Sequence, residues 1–348
     1  MIMYIYLIIL IFFAINFEKY KKIKYLDIVI FGFLFLLVSF RYRTGGDFRP
    51  YINAFDDSIT LDYEKPYDLF GYINLFSRVS GLDLFGVNLI LGFIFFSILY
   101  VFFIKYFRNI YLALVIAYPI FINIYAIGSL RQGLAIIFFL ASLLFLNYKV
   151  KLIAIFLSIT FHFSALLYLF IYISQSLFKK GLSKYPLIVL LLVITFLLKE
   201  KFINYYTYYI AQDAFNSPGF FYRNFITYIC SIIFIKWFLE KKSFISDNIS
   251  YIFLIISILS LIIFSFGIIF QTHYSTSADR IMGYFFPLQI YVVYFIYEIS
   301  AKKNKQKINA LICTYSFLMF YVWDMFGNNS HAWSYELFFL PIKYWSFN

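Results

Sequence analysis

Four short segments carry the residue types that chemistry on an anionic substrate requires. In the first, Arg41 and Arg43 precede Gly45, Gly46 and Asp47, with Tyr51 one helical turn further on. Paired glycines let a backbone turn tightly and approach a ligand, so two guanidiniums and a carboxylate arrive close together. The second segment is Gly128-Ser129-Leu130-Arg131-Gln132-Gly133-Leu134-Ala135. Apolar runs close around it, so Arg131 cannot retreat far into water, and Gly133 and Ala135 permit close helix approach. The helix starting there offers unpaired backbone N–H groups, which favour an anion. The third is Phe161-His162-Phe163-Ser164-Ala165, a histidine in an apolar stretch. It reads either as a side chain bonded to a neighbouring helix or as a proton acceptor or substrate ligand. The fourth is Asp279-Arg280 with Gly283 and Tyr284, read as the outer start of a helix. An arginine there opposes the helix dipole and asks for an anionic partner.

The bland alternatives are snorkelling arginines in an interfacial turn and an aspartate that favours a helix N-terminus. The histidines His162, His273 and His331 have no metal-ligand spacing. His-Glu-x-x-His, Walker and Gly-x-Ser-x-Gly patterns are missing as well. No metal and no cofactor is expected.

The elements that must position these residues are membrane helices. With 63% hydrophobic residues, 13% charged residues and a mean hydropathy of +0.83, no soluble core could absorb the apolar surface of 348 residues. Ten apolar windows read as spans: 1–17, 24–40, 84–104, 109–127, 132–147, 182–203, 223–239, 249–270, 281–299 and 308–325. The expected architecture is all-α, a polytopic integral membrane protein of about ten transmembrane helices forming one multi-spanning domain over residues 1–348. The run 1–17 lacks a basic n-region and a small-residue cleavage site, and reads as a retained helix. Cys230 and Cys313 lie in apolar runs and read as small hydrophobes. The net charge of +12 comes from lysines scattered over short loops, which argues against nucleic acid.

Orientation follows from those lysines. Placing Lys19, Lys21, Lys22 and Lys24 inside puts Lys105, Lys149 and Lys151 inside too. The run 150–173 is ambiguous: as a span it would move ten later lysines outside, whereas a re-entrant hairpin around Thr160, Phe161 and His162 returns them all. With the hairpin, 17 lysines lie inside and four outside, whereas seven of eight arginines lie at the outer side. A guanidinium forks onto phosphate oxygens where an ammonium is a solvated point charge, so this sorting points to an outward anionic ligand. The outer loop 41–83 is rich in carboxylates, and within it Leu69, Ile73 and Phe76 predict a short amphipathic surface helix over Leu69–Val79. A second outer loop, 204–222, is rich in tyrosine and phenylalanine, which reads as interfacial anchoring or as a sugar-stacking groove.

Taken together, Arg-x-x-Gly-Gly-Asp at 41–47 with Tyr51, Leu130-Arg131-Gln132-Gly-Leu-Ala, Phe161-His162-Phe-Ser-Ala and the late Arg280 resemble the EpsG family of Wzy-like bacterial polysaccharide polymerases. The likeness is strongest over residues 38–172. It implies a fold like the GT-C-type membrane glycosyltransferases, in the bacterial plasma (inner) membrane, with the active site facing the periplasm or exterior. The implied substrates are undecaprenyl-diphosphate-linked oligosaccharides: a sugar hydroxyl of the next lipid-linked repeat unit attacks the reducing-end carbon of the growing glycan, and lipid diphosphate leaves. A chain-length regulator would be a further partner beside the bilayer. In this scheme Arg131 and Arg280 stabilise the departing diphosphate. Arg41 and Arg43 grip phosphate or orient the donor, and Gln132, Tyr51 and Tyr284 complete the diphosphate and glycan contacts. The base is Asp47 or His162. The competing readings are a lipid-linked oligosaccharide flippase, an O-antigen ligase-like glycosyltransferase and a membrane acyltransferase.

Overall fold

Where lipid is the solvent, each backbone N–H and C=O must be satisfied within its own segment, so apolar runs become helices. The computed structural model describes residues 2–58, 69–179, 217, 219–240, 247–269, 271–327, 330 and 336–337. Among them the chain is helical apart from short connections and one pair of two-residue strands. The helices are α1 (Ile2–Ile15), α2 (Leu26–Ser39), α3 (Phe48–Asp57), α4 (Leu69–Val79), α5 (Asp83–Tyr106), α6 (Ile110–Gly128), α7 (Leu130–Leu144) and α8 (Tyr148–Phe161). There follow α9 (Leu166–Lys179), α10 (Phe220–Leu239), α11 (Asp247–Ile269), α12 (Gln271–Gly283), α13 (Phe286–Ile299) and α14 (Lys302–Phe326). Strands β1 (Arg41–Tyr42) and β2 (Glu336–Leu337) pair antiparallel, Arg41 opposite Leu337.

The chain divides into two compact units, one of Met1–Ala165 with Tyr294–Asn348 and the other of Leu166–Val293. In the first, α6 is the central helix, 94% buried along its apolar window and packed by α1, α5, α7 and α14. Its second half, Tyr118–Gly128, is π-helical, with Pro119 in its first turn. A proline has no N–H to donate and its ring crowds the carbonyl four residues earlier, which favours the wider winding. Asn109 ties the near end of α6 into the unit. Its Oδ1 accepts from Leu112 N–H at 3.0 Å while its Nδ2 donates to Ala14 O at 3.0 Å. Asn309 of α14 donates to the same carbonyl at 3.1 Å.

Helix α4 forms over the residues its spacing predicts, but with a polar strip inward. Phe70, Asn74 and Ser77 are buried, whereas Tyr72, Phe76 and Val79 are 55%, 61% and 79% exposed. In lipid this inversion is favourable, because the apolar face meets hydrocarbon and the polar face is left for the protein.

In the second unit, α10, α11 and α12 pack on one another and α9 packs on α11. Thr227 of α10 donates to Gln289 of α13 at 2.7 Å, and Gln175 of α9 donates to the backbone carbonyl of Asn248 at 2.9 Å.

Among the described residues four helices are long and apolar enough to cross a membrane, or five if the bent pair around residue 284 counts as one; the expected count of about ten is not confirmed. Helices α1, α2, α7 and α8 have 14 or 15 residues. At 1.5 Å per residue each is roughly 21 Å long, short of the roughly 30 Å hydrocarbon layer. The expected span 281–299 is also not one helix: α12 ends at Gly283 and α13 starts at Phe286 with a 58° bend between them. The expected span 182–203, residues 59–68 of the first outer loop, and 204–216 and 218 of the second lie outside the described residues.

Candidate functional site

The first segment starts where α2 runs out of intrahelical donors for its last carbonyls. Arg41 turns back over that end, and its Nη1 donates to Val38 O at 2.8 Å. A cation at the negative end of a helix is favourable, and the guanidinium is 1% exposed. Arg43 behaves differently. Its backbone sits at φ 50°, and its guanidinium is exposed, 5.1 Å from the ring of Tyr42. Of the two arginines, Arg41 is therefore the one that points inward.

Gly45 explains the glycine pair. It stands at φ +108°, and a Cβ there would meet Ile127 O at 2.5 Å and Gly128 Cα at 2.9 Å. Only a residue without a side chain lets this loop close on the end of α6. Asp47 N–H then donates to Gly128 O at 3.3 Å. Asp47 takes the N-cap place of α3 without capping it through its carboxylate, and its carbonyl accepts from Tyr51 N–H at 3.0 Å.

The second segment meets the first directly. Ser129 N–H reaches Ile124 O at 2.8 Å in the last wide turn of α6, and α7 begins at Leu130. Gly133 holds α7 against that turn, since a Cβ would lie 2.9 Å from Tyr125 O and 3.1 Å from the Phe95 ring. Arg131 N–H donates to the Tyr51 hydroxyl at 3.1 Å. This corrects one expectation: that backbone donor at the start of α7 is satisfied by a side chain. The Arg131 guanidinium lies 4.9 Å from the ring of Phe70 on α4, and the rings of Phe70 and Tyr51 are 5.2 Å apart. Gln132 is buried beside them in sequence, at 6% exposure.

Arg41, Asp47, Tyr51 and Arg131 thus form one electrostatic cluster. Burial raises the Tyr51 phenol well above its ordinary value, the Asp47 charge raises it further, and Arg41 and Arg131 oppose that rise. The phenol therefore stays protonated, so its hydroxyl accepts from Arg131 while keeping its own proton.

His162 interrupts the chain between α8 and α9. Its backbone is extended (φ −152°, ψ 117°), its N–H donates to Ser158 O at 3.2 Å, and its carbonyl accepts from Ala165 N–H at 2.9 Å. Helices α7 and α8 form a tight antiparallel hairpin in which Ser158 Oγ donates to Ala135 O at 2.6 Å and Phe138 stacks on Phe161 at 5.4 Å. Four residues onward along α8 and four back along α7 lead to His162 and Arg131. The histidine therefore belongs to the Arg131 end of the hairpin.

Arg280 and Tyr284 belong to the second unit. Arg280 lies in the last turn of α12 rather than at the start of a helix, so the dipole favours its charge and calls for no anionic partner there. Tyr284 is fully buried, its ring edge-on to Tyr168 at 5.3 Å and its carbonyl accepting the Tyr168 hydroxyl at 2.8 Å. Its side chain thus packs inside the second unit.

Sequence reasoning missed the polar network next to Arg280. The Asp279 carboxylate receives the forked guanidinium of Arg223, Asn224 Nδ2 at 2.7 Å and Ser217 Oγ at 2.8 Å. Arg223 folds over Gly219, where a Cβ would meet its Nη1 at 2.7 Å. Acid and base stand 56 residues apart, and no local spacing signals the pair.

A family model described as the EpsG family matches residues 24–338, which takes in every site residue above. No curated protein and no solved structure matches the chain.

Proposed function

The chain belongs to the EpsG family, and on that premise we propose that it is a polysaccharide polymerase of the bacterial plasma membrane, with its site on the outer face. The observation that carries this reading is the docking of Gly45 and Asp47 onto Ile127 and Gly128. That contact unites Arg41, Asp47, Tyr51 and Arg131, four groups from two distant segments.

The reaction transfers a growing glycan from undecaprenyl diphosphate to a hydroxyl of the next lipid-linked repeat unit. The acceptor oxygen bonds to the donor's reducing-end carbon, the bond from that carbon to the diphosphate oxygen breaks, and the hydroxyl proton passes to a base. Charge develops on the departing diphosphate, and a guanidinium preorganised in a partly dry site stabilises it. Arg131 is our choice for that role: Tyr51 holds its backbone at the start of α7, and its guanidinium lies 4.9 Å from the centre of the Phe70 ring. Arg41 adds positive potential from behind, and Tyr51 keeps a proton to offer a phosphate or sugar oxygen. Asp47 is the base we favour because its charge acts on both Tyr51 and Arg131, with His162 as the alternative at the same end of the α7–α8 hairpin. Gln132 supplies a further polar contact. Arg43, exposed beside Tyr42, is assigned to an outer phosphate.

The test is purified protein in nanodiscs supplied with lipid-linked repeat units. Longer glycans on lipid support polymerisation. The chain break at His162 and the bend after Gly283 also suit a carrier, since transporters bind at discontinuous helices. Lipid-linked oligosaccharide that crosses the bilayer unchanged in length would favour that second reading, and transfer to a different acceptor would favour a ligase.

A further inference from the structure

Asn74 presents an unusual polar group on the inner face of α4. Its side chain is 0% exposed, yet neither its Oδ1 nor its Nδ2 has a hydrogen-bond partner among the described residues. Burying both halves of a carboxamide in this way disfavours the folded state, and a leucine of similar size would avoid that cost. Helix stability therefore does not account for an asparagine here.

Its position supplies a second observation. Asn74 follows Phe70 by one helical turn on the buried face of α4, and Phe70 touches both the Arg131 guanidinium and the Tyr51 ring. One turn beyond, Ser77 Oγ donates to Asp83 O at 2.5 Å. Helix α4 also packs against α3, α5 and α8, the last ending at His162. Asn74 thus lies on the strip of α4 that walls the Arg131 cluster. The opposite face of the helix is the exposed apolar one.

We propose that Asn74 is a specificity-determining residue that binds a sugar hydroxyl of the lipid-linked repeat unit, exposed to it when α4 moves outward. This rests on the polymerase reading. A carboxamide offers a donor and an acceptor side by side, which match a hydroxyl pair that gives one hydrogen bond and takes another. The closed helix leaves both groups unsatisfied, so their pairing with sugar favours the open, loaded arrangement. Gly81 ends α4 in a turn at φ +68°, a conformation that glycine adopts without strain.

The experiment compares wild type, Asn74→Leu and Asn74→Gln in nanodiscs, using repeat units on undecaprenyl diphosphate and bare undecaprenyl diphosphate as probes. Asn74→Leu should match or exceed the wild-type Tm. Its KM for the repeat unit should rise about tenfold, the effect of one or two lost hydrogen bonds, with kcat changed less than about threefold. Its binding of the bare lipid diphosphate, read by thermal shift, should not change. Asn74→Gln keeps both groups and should recover part of the affinity. An unchanged KM in folded Asn74→Leu overturns the proposal, as does a lowered Tm with equal losses for both probes, which would mark a packing role. If the wild type lengthens no glycan, it is the polymerase reading that fails. The difference between the two probes in thermal shift then still decides whether Asn74 binds sugar.

Discussion

The hydroxyl of Tyr51 accepts the backbone N–H of Arg131 at 3.1 Å, joining positions 80 residues apart. One side chain thereby closes the start of α7 and fastens α3 to it. Replacing Tyr51 with phenylalanine keeps the ring against Phe70 and orphans that N–H. The expected cost is about 1 kcal/mol of stability. Polymerisation should fall further than the Tm does, because the backbone that aims Arg131 loosens, and both are read on the same nanodisc sample. Full activity in Tyr51→Phe would detach this bond from catalysis.

Gly45 and Gly46 are neighbours with different duties. A methyl group at Gly45 collides with Ile127 O, whereas Gly46 is exposed. Gly45→Ala should therefore abolish glycan extension while protein abundance in the membrane is preserved, and Gly46→Ala should retain most activity. Equal behaviour of the two variants would contradict the docking of this loop on α6.

Arg131→Lys keeps the charge and loses the planar fork that lies against the Phe70 ring. Chain extension should drop at least about a hundredfold, the scale of losing one preorganised donor at a developing oxyanion, with unchanged protein level on an immunoblot. Wild-type extension rates would remove Arg131 from the mechanism.

Asp47→Asn and His162→Gln separate the two candidate bases. If Asp47 takes the proton, its variant loses both the bulk of kcat and the acidic limb of the pH–rate profile, while His162→Gln keeps that limb. The reverse pattern would transfer the role to His162.

Arg223 and Asp279 form a partly buried pair with 27% and 19% side-chain exposure. Alanine at either site should cost about 2 kcal/mol, as expected for charged hydrogen bonds, and the double variant should cost less than the sum. Strictly additive losses in thermal unfolding would mean that the two side chains do not act together.

Much of this protein could be read from residue order alone. Apolar runs had to become helices because lipid offers their backbones no partners, and the helix over Leu69–Val79 followed from its spacing. The interruption at His162 was legible as a polar residue in an apolar run, and the ordered motifs from Arg41 to Arg280 were enough to point to the family whose model matches residues 24–338. Tertiary packing decided what local pattern cannot encode. Arg41 and Arg43 have the same chemistry two residues apart, yet only one points inward, because the end of α2 attracts the first and the chain turns out of β1 at the second, which stands at φ 50°. The bend after Gly283 moved Arg280 from a helix start to a helix end and reversed the meaning of its charge. The contacts of Gly45 with Gly128, of Tyr51 with Arg131 and of Asp279 with Arg223 join residues tens of positions apart, and such pairings exist only once the helices between them have folded.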